Sequence, residues 1–544
     1  MAAIGGEPGP TIPVRTAQIP AAATSDGPTS GVVWTPPRDP RTGLATLNRM
    51  ARFGVTAVRL TRPVFDGAFL ARADSLGLSL YMDVPVGNAG DAASALRDTV
   101  SAVRAAASRH PSIRAIGAAP RVPGRTAVCA ALDTLSQQIA DGSRLRSYYV
   151  TPLGPGSDPC AGDASLLLPD VRHVRNPVGR WEAWREAASV PVGLGALGVW
   201  MRPGMGRGLQ QPHSPEWQAR RLEIQLSRFL DASLPTPPVV FVYHWQDLPA
   251  SSETPGLPTR SYGLIAPDGS VRPAGRVVRG FYSGRQEVFA FPRGQSPTDG
   301  WSGLVVLGWI VLGSIAAVFA QAPLARRTAA RYFSAHGFYR DAVREGRETL
   351  PRLQPVLLLC VAVSIGIVGA AAARGIDVLP ETVGVLERLP ERAAAALDLA
   401  LAHPSWVGLA GGGLGLAVLV GWALVLALAA REWEYLRIDQ ALMIVTWPCW
   451  PVIPLMVAGL VAVSQPPGGA TGILLPVCIA AVAVSILIVV RVLRDFAAVT
   501  GVPVGIAGLL TLLSPPALAA AAVLLLGWRA GLSFSTLWSL LPHL

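Results

Sequence analysis

A chain of 544 residues with 51% hydrophobic residues and a mean hydropathy of +0.40 is too apolar for one soluble globule, and long enough for two or three domains. Its formal charge of +11 rests on arginine alone, and much of the excess sits in one loop beside an apolar run, which argues for a lipid surface rather than nucleic acid as partner. Five cysteines without C-x-x-C spacing exclude the usual metal and redox motifs, so no metal and no cofactor are expected.

Residues 1–30 are rich in Pro, Ala and Thr and lack a charged segment followed by an apolar core, so they read as a disordered leader, not a signal peptide. Export of the next domain then requires residues 301–320 as a reverse anchor, or a start upstream of Met1; the second is the expectation. From residue 31 to 290 short β-branched runs alternate with amphipathic helical stretches. Strands are expected at 31–35, 55–60, 78–84, 112–118, 146–152, 164–170, 191–198 and 238–245. Helices are expected at 44–53, 68–76, 92–108, 126–140, 179–188, 215–230 and 274–281. Eight strands in about 250 residues have the rhythm of a (β/α)8 barrel, ahead of a doubly wound sheet. Cys129 and Cys160, both in this region, are available to pair in an oxidising compartment.

In such barrels chemistry gathers where the strands end. Those ends carry Trp34, Arg59, Asp83, the 117–121 turn, Tyr149, Asp170, Ala196, His244, Trp245 and Asp247. Flat aromatic faces, arginine forks and carboxylates on one rim suit a sugar. The expected ligand-binding set is therefore Trp34, Arg59, Asp83, Tyr149, His244, Trp245 and Asp247, with a protein-interaction platform as the plainer reading.

Several stretches stand in a telling order: "LNRMARFGVTAVRL", "FLARADSLGLSLYMDVP", "SRHPSIRAIG", "SPEWQARRLEIQLSRFLD", "VVFVYHWQDL" and "YGLIAPDGSVRPAGRVVRGFY". Across residues 31–284 this order resembles the barrel of glycoside hydrolase family 2, the β-galactosidase and β-glucuronidase group. The resemblance implies an active-site arginine at Arg59. It also implies an acid/base glutamate after strand four and a nucleophilic glutamate on strand seven. At those positions this chain has Pro120–Arg121 and Ala196, the latter followed by Leu197 and Gly198. A retaining glycosidase needs two carboxyl groups about 5 Å apart, so the expectation is a glycosidase fold without its chemistry, degenerate at Arg121 and Ala196. An active enzyme would have to recruit other acids from Asp83, Asp170, Glu182, Glu216 and Asp247.

From residue 301 onward apolar runs of spanning length recur near 301–320, 355–373, 406–430, 441–463, 472–490 and 502–526, the last interrupted by Pro515–Pro516. Six spans are expected: one, then five more within 355–527, with a tail at 528–544. The segment 321–354 has seven arginines against three acids, whereas 374–404 has five acids against three arginines. The positive-inside rule puts the first in the cytoplasm, and the head and C-terminus outside. The 321–354 segment is amphipathic and is expected along the inner membrane surface. A basic segment followed by five spans resembles the Yip-type family of membrane proteins. Charged residues within the spans are nearly absent, and Arg491–Asp495 read as boundary anchors. "WPCWPVIP" at 447–454 is the one transporter-like feature. The expectation is a multi-pass cell-membrane protein with an extracytoplasmic barrel that binds a glycan or a protein partner. A transport or assembly component with the barrel as accessory is the remaining alternative, and other membrane proteins are candidate partners.

Overall fold

The computed structural model describes residues 29–84, 91–120, 126–140, 144–206, 208–230, 235–247, 257–285, 289–295, 303–347, 350–377, 380–389, 391–432, 436–464, 471–512 and 514–529. It divides into two compact units, residues 1–256 with 260–296, and residues 257–259 with 297–544. The expected leader 1–30 and tail 528–544 lie almost wholly outside the described residues.

The first unit runs β1 (Thr29–Trp34), α1 (Pro40–Arg52), β2 (Ala57–Leu60), α2 (Gly67–Ser75), β3 (Ser79–Val84), α3 (Asp91–Ala107), β4 (Ile113–Ala118), α4 (Thr126–Ala140), β5 (Arg146–Thr151), β6 (Leu166–Pro169), α5 (Pro177–Ala187), β7 (Leu194–Leu197), α6 (Pro215–Phe229), β8 (Val239–Val242) and α7 (Pro273–Tyr282). Helix starts follow local chemistry. Asp66, Asn176 and Ser214 each accept a backbone N–H of the first turn, and proline follows the latter two at the first helical position. The eight strands are parallel in the order β6-β5-β4-β3-β2-β1-β8-β7. The β6/β7 seam is drawn together by Leu167 N to Pro191 O (3.0 Å), Gly193 N to Leu167 O (2.9 Å) and Val171 N to Ala196 O (2.9 Å). This is a (β/α)8 barrel, nearly closed.

Alternation along each strand gives the barrel two cores. Val33, Ala57, Ala115, Tyr148, Val150, Leu166, Leu168, Val239 and Phe241 fill the interior, with Tyr81 and Tyr243 against them. Their strand neighbours, among them Val32, Trp34, Val58, Leu60, Met82, Tyr149, Leu194 and Val242, pack outward under the helices. Glycine on the inner face makes room for rings: a Cβ on Gly117 would overlap Tyr148, and one on Gly31 would overlap Phe241. The Cys129–Cys160 disulfide ties α4 to the β5–β6 connection. The Tyr282 hydroxyl, at the end of α7, donates to the Gly31 carbonyl (2.9 Å), joining the last helix to the first strand.

The second unit is helical: α8 (Gly303–Gln321), α9 (Pro323–Ser334), α10 (His336–Arg344), α11 (Gln354–Asp377), α12 (Pro380–Arg388), α13 (Glu391–Ala402), α14 (Pro404–Ala429), α15 (Ile438–Thr446), α16 (Val452–Ser464), α17 (Thr471–Thr500), α18 (Val504–Leu512) and α19 (Pro515–Arg529). Four stretches are long and apolar enough to cross a membrane: Gly303–Gln321, Gln354–Asp377, Pro404–Ala429 and Pro476–Thr500. A fifth is a pair bent by 44° between α15 and α16, where Pro448 and Pro451 interrupt the ladder. The expected sixth span is instead two short helices, α18 of nine residues and α19 of fifteen, the second starting at Pro515–Pro516. Neither reaches spanning length, so the count among the described residues is four, or five with the bent pair. α11 and α14 approach through glycine: Gly366 lies against the Gly408 carbonyl, and a Cβ on Gly412 would stand 3.1 Å from the Ala362 carbonyl.

Candidate functional site

Arg59, on the inner face of β2, donates from Nε to Asp83 Oδ1 (2.9 Å), from NH2 to Asp83 Oδ2 (2.8 Å) and from NH1 to the Gly195 carbonyl (2.8 Å). One guanidinium thus links β2, β3 and β7. Tyr148 of β5 completes the group, its hydroxyl donating to Asp83 Oδ1 at 2.6 Å. All three side chains are buried. Burial disfavours the Arg59 charge, but the paired Asp83 outweighs it and holds the guanidinium above its ordinary range. Burial, reinforced by the Asp83 charge, pushes the Tyr148 hydroxyl well above the usual phenol range, so it serves here as a donor.

A second pair stands beyond the end of β6. Asp170 accepts from Arg172 Nε (3.0 Å to each oxygen) and NH2 (2.6 Å), and the guanidinium lies 3.9 Å from the Tyr243 ring centre and 5.6 Å from that of Tyr262. The two tyrosines meet edge to face at 5.2 Å. His244 follows Tyr243 and is buried. Its Nε2 accepts from the Thr35 N–H (3.1 Å), and its Nδ1 sits 2.7 Å from the Gln246 carbonyl. A carbonyl can only accept, which assigns the proton to Nδ1 of a neutral ring. Burial lowers its pKa to about 4, with the Arg172 and Arg59 charges acting in the same sense.

The expected ligand-binding set divides. Arg59, Asp83 and His244 are polar groups at the strand ends, as read. Tyr149 is not: its hydroxyl reaches Asp158 Oδ2 (2.8 Å) in the outer core, and the inward residue is its neighbour Tyr148. Trp34 and Trp245 also face outward, stacking on Phe69 (6.1 Å) and meeting Phe53 edge-on (5.2 Å). Strand parity is the reason for Tyr149 and Trp34, whose preceding residues Tyr148 and Val33 take the inner positions, whereas Trp245 lies beyond β8, which ends at Val242. Asp247 accepts the Gly263 N–H (2.8 Å) and pairs with Arg272, which pins the chain after β8. Arg172, Tyr243 and Tyr262 went unread; Arg172 and Tyr243 lie just past the ends of β6 and β8, and Tyr262 lies in the later loop before α7.

Ala196 is buried on the β6/β7 seam, bridged to Asp170, where the β7 register shifts. Arg121 lies outside the described residues. Of the acids able to substitute for a missing catalytic pair, Glu182 is on α5, and Glu216, on α6, accepts the Gly208 N–H (3.0 Å). Both belong to the outer helices. Asp83, Asp170 and Asp247 remain, each paired with an arginine. Among the described residues, Cys129, Cys160 and Asp163 converge like metal ligands, but the two sulfurs are bonded to each other.

No family model matches the chain, and no curated protein matches it. Solved structures do. An FMN-binding β-glucuronidase from Faecalibacterium prausnitzii L2-6 is 16% identical over 47% of this chain and 44% of its own, with a TM-score of 0.41. A β-D-glucuronidase from Dictyoglomus thermophilum is 11% identical over 50% and 52%, with a TM-score of 0.42. A family 2 β-galacturonidase from Eisenbergiella tayi, bound to galacturonate, is 16% identical over 48% and 52%, with a TM-score of 0.41. The chain spans about half the length of these enzymes. By its own strand order and register, the first unit is a nearly closed (β/α)8 barrel, carried on a chain whose second unit holds helices fit to cross a membrane.

Proposed function

We propose that this is a multi-pass membrane protein whose barrel lies outside the cytoplasm and binds a saccharide without cleaving it. The observation that carries the reading is the state of the carboxylates. Asp83 has both oxygens engaged by Arg59 and one also by Tyr148, and Asp170 has both engaged by Arg172. A nucleophile needs a free oxygen lone pair aimed at the anomeric carbon, and the acid needs a proton to give. Ala196 offers neither. The Tyr243 ring beside Arg172 is a flat face of the kind a pyranose stacks on. The arginine asymmetry of the loops and the Cys129–Cys160 disulfide support an extracytoplasmic head.

A second reading, a barrel kept as a protein-docking platform, gains from the outward turn of Trp34 and Trp245, which removes two expected stacking faces. One experiment separates these readings. The full chain in detergent micelles is presented to a broad glycan array and to aryl β-galactosides, β-glucuronides and β-mannosides. The expected result is glycan binding that weakens about tenfold in Tyr243→Ala, the scale of one lost stacking face, with no turnover above background. No binding at all favours the platform. Turnover that survives Ala196→Gly and disappears in Asp83→Asn or Asp170→Asn overturns the non-hydrolytic reading.

A further inference from the structure

α17 carries a charged residue deep in its packing. Asp495 is fully buried, although apolar helices surround it. An ionised carboxylate in such a place costs several kcal/mol unless it is paired, and its partners come from 155 and 159 residues away. Arg340 donates from Nε (2.9 Å) and NH2 (2.8 Å) to Oδ1, and His336 Nε2 stands 2.7 Å from the same oxygen. Oδ2 has no hydrogen-bond partner among the described residues. Arg491–Asp495 are therefore not all boundary anchors: Asp495 is an interior group that receives the start of α10.

The hydrogen-bond geometry of His336 fixes a proton. Its Nδ1 lies 3.0 Å from the Tyr332 carbonyl, which can only accept, so Nδ1 bears hydrogen. Nε2 faces a carboxyl oxygen at hydrogen-bonding distance, which requires one more proton between them, on the ring as imidazolium or on the acid. Without it, two lone pairs would oppose each other at 2.7 Å. We propose that His336 and Asp495 together form a proton-binding site of the helical unit, and that its occupancy decides whether α9–α10 stays docked on α17.

Among the described residues, few charged or titratable groups stand near the pair. Arg340 on α10 and Arg491 on α17 are fixed positive charges, the second 5.6 Å from the Tyr332 ring centre. Among the described residues, Tyr332 on α9 and Tyr339 on α10 stand near Asp495, and Cys449, in the turn between α15 and α16, stands near Tyr332. Tyr339 gives its hydroxyl hydrogen to the Met443 carbonyl (3.2 Å), and Cys449 gives its thiol hydrogen to that of Val445 (3.2 Å). Imidazole is the side chain among these whose charge ordinarily changes between pH 5 and 8. When the proton leaves Nε2 for water, the electron pair stays on nitrogen and the contact turns from attractive to repulsive. The same docked face meets the bent span, with Trp447 at 5.8 Å from Tyr332 and 6.4 Å from Tyr339, so the held segment helps buttress the bend.

The test is hydrogen–deuterium exchange of the full chain in phosphatidylcholine–phosphatidylglycerol nanodiscs, corrected for the intrinsic pH dependence of exchange. Peptides covering residues 323–344 should lose protection at least tenfold between pH 5.5 and 8.5. His336→Gln, which keeps a donor for Oδ1 but cannot titrate, should give a flat profile with the segment held. Asp495→Asn should also be flat, and because His336 is only partly buried its variant carries the test if Asp495→Asn does not fold. A flat wild-type profile, or a steep one retained in His336→Gln, would show an ordinary structural ion pair and overturn the proposal.

Discussion

Arg59 holds three strands through one side chain, so its neighbours are unequal in what they can lose. Removing Asp83 leaves a buried guanidinium without its paired carboxylate, and a broken buried ion pair costs about 3–5 kcal/mol. Asp83→Ala should therefore unfold the barrel at markedly lower denaturant, followed by near-ultraviolet circular dichroism. Tyr148→Phe removes one hydrogen bond to a charged group and should cost about 1.5–3 kcal/mol. Equal losses in the two variants would refute the idea that charge compensation dominates. Two histidines make the head acid-sensitive. Burial lowers His213 to about 3, and His244 to about 4, both below the ordinary histidine value. The unfolded chain then binds protons that the fold refuses, so stability is full above about pH 6.5 and declines as the pH falls toward 4. The loss at pH 5 is on the order of 1–2 kcal/mol per histidine, and a melting series should flatten in the His213→Gln/His244→Gln double variant. The sequence named Arg59 and Asp83 because arginine and aspartate at strand ends stand out. It could not choose between Tyr148 and Tyr149: "RSYYVT" is buried on both faces, so polarity left no record of parity.

At the scale of elements, the α11–α14 contact makes a sharp test of packing. A methyl on Gly366 would run into the Gly408 carbonyl, whereas Gly369, one turn along the same helix, faces open space. Gly366→Val should lower the thermal stability of the detergent-solubilised chain by about 1–3 kcal/mol, as overpacking does. Gly369→Ala should be neutral or stabilising by up to about 1 kcal/mol, from helix propensity. Similar melting temperatures for both would mean that the helices slide apart freely. Long apolar runs were legible here because the bilayer selects length and composition, whatever the tertiary partners. The bend at Trp447–Cys449 was legible from its prolines. The Asp495 pairing was not: a histidine and an arginine over 150 residues upstream carry no local signal of whom they meet.

For the whole molecule, the arginine-rich 321–354 segment sets the expected orientation. Protease added to intact cells should cut the head while that segment stays protected; a head shielded until lysis would reverse the topology. The (β/α)8 architecture was readable because β-branched runs and amphipathic helices alternate with a regular period, a pattern that depends on no single residue. The side chains that could do chemistry depend on single positions, and there Trp34 and Tyr149 turn outward while their neighbours Val33 and Tyr148 face in. The bond from Tyr282 to Gly31 has a consequence for synthesis. β1 pairs with β8, and α7 then fastens back onto β1, so the earliest residues wait for some of the last of their unit. A ribosome must have made residue 282 before the barrel can close, and the first long apolar helix begins at Gly303. A chain halted before residue 239 therefore leaves β1 without its β8 partner.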